Sequence, residues 1–193
     1  MKNKELQSGY TLIELLTVMV VLVVVGMIIT SILVSTLRSG NKSTTTNYIR
    51  ESGNYAIAQM SKMIAYAKSF NGVYDEQASP NLWTDCVNSA GKTYHQVRVT
   101  AFDGGQTVFK CDTANNILSS NSANLVNPVD TVVTCSFTCS QNDTSTSPTI
   151  NIFLTLQKLK PGGVASLLPE AQTVINFQTS VTLRNNVTDV TNP

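Results

Sequence analysis

The residues that do most enzymatic chemistry are scarce in this sequence. Its 193 residues include one histidine, His95, and one tryptophan, Trp83, and charged side chains make up 13% of the chain. A lone histidine gives a Cys/His nucleophile pair one available base, and no cysteine is placed beside it by sequence. His95 begins an expected strand on the same face as Val97, the place of a structural or surface histidine. There is no phosphate-cradling loop, dinucleotide fingerprint or basic-aromatic strip. Asp103-Gly104-Gly105 lacks the acidic series that calcium needs and is expected to be a hairpin turn. Asp75 and Glu76 are expected in a solvated loop rather than around a cation. A formal net charge of +1 is not the footprint of a nucleic-acid binder. These absences argue against an enzyme, a cofactor, a metal and a specific nucleic-acid partner.

Charge is also missing locally. Leu15 to Leu37 is a run of 23 residues without one charged side chain, rich in Val, Leu and Ile. As a helix it is long enough to cross the roughly 30 Å hydrocarbon core of a bilayer. It is too long for the apolar part of a secretory signal peptide, and no Ala-x-Ala site follows it. Just before the run stands Glu14, and burying a lone carboxylate in lipid costs on the order of 3 kcal/mol. The segment offers it no nearby partner. Lys2 and Lys4 precede the span while Arg38 and Lys42 follow it, so the positive-inside rule does not orient it.

The residues around Glu14 carry a resemblance. A polar leader with Lys2 and Lys4, then Gly9-Tyr10-Thr11-Leu12-Ile13-Glu14 and an apolar helix, resembles the N-terminus of type IV pilins and type II secretion pseudopilins. The resemblance implies a prepilin peptidase that cuts after Gly9 and N-methylates Tyr10. It implies that Glu14 acts in subunit assembly, five places into the mature chain. The physics suits that role. A new α-amine on Tyr10 would have a pKa of about 8 and be mostly cationic at neutral pH. Paired with Glu14 of a neighbouring subunit, it leaves neither charge alone in an apolar filament core. The implied partners are the peptidase, other pilin or pseudopilin subunits, an assembly platform with its ATPase, and the membrane. The implied location is a single-pass inner-membrane protein with an extracytoplasmic head, later a filament.

The resemblance divides the chain into a leader over 1–9, a membrane or filament-core helix over 10–37, an amphipathic second half over 38–70, and an antiparallel β head over 71–193. Small residues four apart, Gly26 with Thr30 and Ser31 with Ser35, suit close approach of membrane helices. The span has no proline, so any loosening of its helix would have to use Gly26. Ile49, Ala56, Ile57, Met60, Met63, Ile64 and Ala67 form one helical face, with Gly53 on the same stripe. The helix is expected to reach about Ser69 and to end at Asn71-Gly72, with a loop to about Lys92. Strands are expected over 93–102, 106–111, 131–139, around Ile150 to Leu156, and around Ile175 to Leu183, with a polar loop over 112–130. The expected fold class is α+β: a long N-terminal helix packed on an antiparallel sheet, which is also the pilin fold.

Cys86, Cys111, Cys135 and Cys139 all follow the span. In an oxidising compartment they predict two disulfides, with three possible connectivities. If Thr131 to Cys139 is a strand, Cys135 and Cys139 are about 13 Å apart and cannot bond to each other. The other two pairings stay open. Zinc is the alternative, but no Cys-x-x-Cys knuckle is present. Asn142-Asp143-Thr144 and Asn186-Val187-Thr188 match the glycosylation sequon. The terminal strand, Phe177 to Asn185, resembles J-type minor pseudopilins and related minor pilins, which implies a minor subunit. The expectation is a structural filament subunit. A membrane-anchored extracellular protein that binds or adheres without polymerising is the alternative.

Overall fold

The computed structural model describes residues 11–76, 82–87, 91–127, 131–158, 173–185 and 188–190. The chain divides into two compact units, Met1–Asn41 and Lys42–Pro193. One helix, α1 (Leu12–Ala65), supplies the described part of the first unit and the opening of the second.

In the first unit every described residue is exposed, apolar side chains included. A helix apolar on all sides suits a hydrocarbon surrounding rather than water, and by length and composition this one is able to span a membrane. Its three threonine hydroxyls are satisfied within the helix. Thr17 Oγ1 donates to the Glu14 carbonyl at 2.9 Å, Thr30 Oγ1 to Gly26 at 2.8 Å and Thr36 Oγ1 to Ile32 at 2.9 Å. Such bonds remove the penalty of placing a bare hydroxyl in lipid.

In the second unit α1 buries Ile49, Gly53, Ala56, Met60 and Ile64, with Ile57 and Met63 partly covered, which is the expected stripe. The helix stops at Ala65, a turn earlier than expected. The end is held by residues just after the last described strand: Arg184 N–H donates to the Ala65 carbonyl at 3.1 Å, and Asn185 Nδ2 to the Ala67 carbonyl at 2.8 Å. The Ala65 carbonyl belongs to the helix terminus, where intrahelical partners run out, and Ala67 follows just beyond it. The Arg184 guanidinium also covers the Tyr66 ring at 4.3 Å.

Two expected loops are in fact strands. Ser69–Asp75 forms β1 and Leu82–Thr84 forms β2, where the sequence suggested a helix end and a loop. Asn71-Gly72 resembles a breaker, yet it lies inside β1 at a register shift, with Gly72 at φ +110° and Thr84 O too close for a Cβ. Glycine inside a strand is the mark of a bulge with close backbone approach. Likewise, part of the expected loop 112–130 folds as β5 (Ile117–Ser120) and β6 (Ala123–Asn124), joined through Asn121 and Ser122, both at positive φ. Two positive φ values in succession are the geometry of a tight hairpin turn.

The head contains two antiparallel sheets where one was expected. With β3 (Gln96–Thr100) and β4 (Gln106–Asp112), the first has the order β2-β1-β3-β4-β5-β6. The second is β7 (Thr131–Ser140), β8 (Thr149–Lys158) and β9 (Val174–Thr182), in chain order. Ile150, Ile152, Leu154 and Leu156 of β8 alternate into the core as their spacing predicts. The sheets are joined covalently by Cys111–Cys135 and Cys86–Cys139, with Cα separations of 5.9 and 5.4 Å. Tyr94 and Phe137 add reciprocal backbone hydrogen bonds of 2.8 Å. The pairing of Cys135 with Cys139 is thus excluded, and one of the two open connectivities is realised. The fold class is α+β, with a long N-terminal helix, antiparallel sheets and two disulfides.

Candidate functional site

The helix begins with a cap. Thr11 Oγ1 accepts a hydrogen bond from the Glu14 N–H at 3.3 Å, and the Thr11 carbonyl accepts from the same N–H at 3.1 Å. Thr11-x-x-Glu14 is a capping-box spacing, in which the hydroxyl of the first residue satisfies an otherwise orphan donor three residues on. This local role went unread in the sequence, where the threonine and the spacing were its signal. The acid also stands in the first turn, where the helix dipole favours negative charge. Gly9 and Tyr10, the expected processing residues, lie outside the described residues.

Glu14 is exposed and has no ion-pair partner among the described residues. From Leu15 to Leu37 the helix offers only uncharged side chains. An apolar rod with one carboxylate in its first turn has two available interactions, dispersion and apolar contact along its length and one charge-specific contact at its end. Gly26, Thr30, Ser31 and Ser35 line a shallow concavity on one face, so the expected small residues do share a surface.

Protein-family models, curated proteins and solved structures were all compared with the chain, and none matches.

In the head, the cysteines are all cystines, which leaves no thiolate for a metal or a nucleophilic attack. Among the described residues no three His, Cys, Asp or Glu side chains cluster as metal ligands. Asp103 is occupied by its turn: Oδ1 accepts from Gly105 N–H at 2.9 Å, with Gly104 at φ +83°. Asp75 accepts from Lys92 Nζ at 3.1 Å, and that bond and charge raise the Lys92 pKa. Together with Tyr94 and His95 they line a polar cavity of about 290 Å³. The imidazole is half-buried, and its Nδ1 has no hydrogen-bond partner among the described residues.

Trp83 packs in the head, 5.3 Å from Tyr74, and carries the Arg98 guanidinium over its ring at 4.2 Å. Arg98 itself is a residue that pattern reading missed. It is 9% exposed in β3, donates through Nη2 to the Asn71 carbonyl at 3.3 Å, and has its pKa lowered by burial while Asp189 opposes the shift. Asn142 lies in an exposed turn ordered by Asp143, whereas Asn186 lies outside the described residues.

Proposed function

We propose that this chain is a structural, non-catalytic filament subunit of the type IV pilin or type II secretion pseudopilin kind, and a minor one. One observation carries the reading: Glu14 is the acid in the first turn of a helix whose stretch from Leu12 to Leu37 is fully exposed and otherwise uncharged, in a chain with a disulfide-bonded β head. Within one chain the acid gains only the favourable end of the helix dipole, whereas a bundle of such helices gains a register-setting contact from it. In this reading prepilin peptidase cuts after Gly9 and methylates Tyr10. The subunit is held in the inner membrane with its head outside the cytoplasm. A platform and ATPase then draw it into a helical bundle, where Glu14 meets the Tyr10 amine of a neighbour.

The test is the intact mass and N-terminal sequence of the protein from its native membrane. The expected chain begins at Tyr10 and carries the mass of one added methyl group. A chain that still begins at Met1, in cells with active prepilin peptidase, would overturn the filament reading.

A second reading is favoured by the Thr11 cap, which gives the Thr-x-x-Glu spacing a use inside one chain. It makes the protein a non-polymerising anchored ectodomain with a binding or adhesive head. The same measurement separates the two, because a plain anchor is not processed at Gly9.

A further inference from the structure

The filament reading makes no use of the polar cavity between Asp75 and His95. One wall is the end of β1, Tyr74 to Glu76, and the other is the segment from Gly91 to His95 that leads into β3. Both walls are held by pairing. Tyr74 and Asp75 are laddered to Trp83 and Leu82 of β2, Tyr94 exchanges backbone hydrogen bonds with Phe137, and the His95 carbonyl accepts from the Cys111 N–H at 2.8 Å. Gly91 turns the second wall back at φ +79°, in the left-handed region that favours glycine. Sites held by paired strands keep their shape more precisely than sites on free loops.

An ion pair joins the walls. Lys92 Nζ, on a half-exposed side chain, donates to Asp75 Oδ2 at 3.1 Å, although Asp75 is only 9% exposed. Such a pair adds little stability, but it sets an acceptor and a donor side by side in the cavity. Glu76 brings a second carboxylate, and Tyr74, Tyr94 and His95 bring groups that donate or accept.

These groups select by chemistry. With His95 neutral, two carboxylates against one ammonium leave an excess negative charge, which repels phosphates and carboxylates. An organic cation would have to displace Lys92 from Asp75. An apolar ligand would strip water from the ions without replacing their hydrogen bonds. A neutral sugar meets none of these penalties, because its hydroxyls donate to carboxylates and accept from an ammonium while tyrosine rings meet its C–H faces. At about 290 Å³ the cavity is at the small end of ligand pockets, roughly 300–1,000 Å³, and suits a single ring.

We propose that this cavity binds the terminal neutral hexose of a glycan, with Asp75 and Lys92 as its central hydroxyl partners. The site lies entirely within the second unit and goes beyond both readings above, since a filament subunit and an anchored ectodomain would carry it alike.

Saturation-transfer NMR on the full-length chain, in a detergent without a sugar headgroup, tests it with the methyl glycosides of glucose, galactose and mannose. At least one should bind with a Kd of about 1 mM, and inorganic phosphate should not compete. Asp75→Asn keeps the shape and removes the charge, while Thr93→Leu fills the exposed rim with an aliphatic side chain. Each should weaken binding about tenfold. If Asp75→Asn fails to fold, the exposed Thr93 position still carries the test.

No glycoside bound by the wild type, binding of the free hexoses alone, binding unchanged in Thr93→Leu, or tighter binding of inorganic phosphate would overturn the proposal. Cleavage after Gly9 is read on the N-terminus and sugar binding on the head, so failure of one is distinguishable from failure of the other.

Discussion

Gly53 of α1 lies beneath the ring of Phe177 in β9, so close that a Cβ on residue 53 would overlap the ring. The helix and the last strand approach to this distance because residue 53 has no side chain. Gly53→Ala would gain helix propensity but must push the ring aside, and overpacking of this kind typically costs about 1–3 kcal/mol. The expected outcome is a lower unfolding temperature for Gly53→Ala, lower still for Gly53→Val. Combining Gly53→Ala with Phe177→Ala should cost less than the two single effects added together. Thermal unfolding of the four proteins checks this, and strict additivity would mean that the two positions do not touch.

The two cystines close loops of 24 and 53 residues and fasten β7 to the first sheet. Chain-entropy arguments assign each about 3–4 kcal/mol. Replacing Cys111 and Cys135 together by alanine, or Cys86 and Cys139 together, is expected to lower head stability by that amount in denaturant titrations. Reduction of the wild-type protein should match the loss of both. An unchanged midpoint under reducing conditions would show that hydrophobic packing alone holds the sheets together.

Period carried most of what the sequence revealed. The buried stripe Ile49, Ala56, Met60 and Ile64 and the alternation of β8 were legible because each element has one dry face and one wet face. Ser69–Asp75 was hidden because nearly every residue in it is buried, so it shows no alternation, and its Asn-Gly pair imitates a helix stop. Ile117–Ser120 was hidden by brevity and by asparagine and serine neighbours that serve its turns. The division into two sheets depends on long-range pairing that no local pattern encodes. At the candidate site the acid was visible as an exception to an apolar run, whereas the Thr11 cap, signalled only by the Thr-x-x-Glu spacing, was missed.

Stability of the head should depend on pH at both extremes. Hydrogen bonds from the Asn115 side chain and backbone hold the Asp112 carboxyl below its ordinary 3.8, and bonds from Ser145 do the same for Asp143. A depressed carboxylate stabilises the fold above its unfolded pKa and loses that effect as pH falls through the folded value. The acid loss therefore lies below pH 3.8. Lys92 is raised above 10.5 by its bond to Asp75, so its contribution is complete below 10.5 and fades as pH climbs through the higher folded value. Unfolding temperatures should fall in both windows. Asp112→Asn should soften the acid fall, and Lys92→Met the alkaline one; unchanged slopes in these variants would assign the dependence to other groups.

The first turn lets the cap and the charge be separated. The cap uses the Thr11 hydroxyl and the Glu14 backbone N–H, so Thr11→Val removes it, and Glu14→Gln leaves it in place while removing the charge. Loss of a threonine cap typically costs about 0.5–2 kcal/mol of helix stability. If Glu14 acts between subunits, Glu14→Gln should insert and be cleaved after Gly9 yet enter filaments poorly, whereas Thr11→Val should enter them nearly as well as wild type. Immunoblots of sheared filaments against membrane fractions measure the ratio. Equal incorporation of both variants would remove the register role of the carboxylate. A stronger defect in Thr11→Val would mean that the start of the helix, rather than its charge, limits assembly.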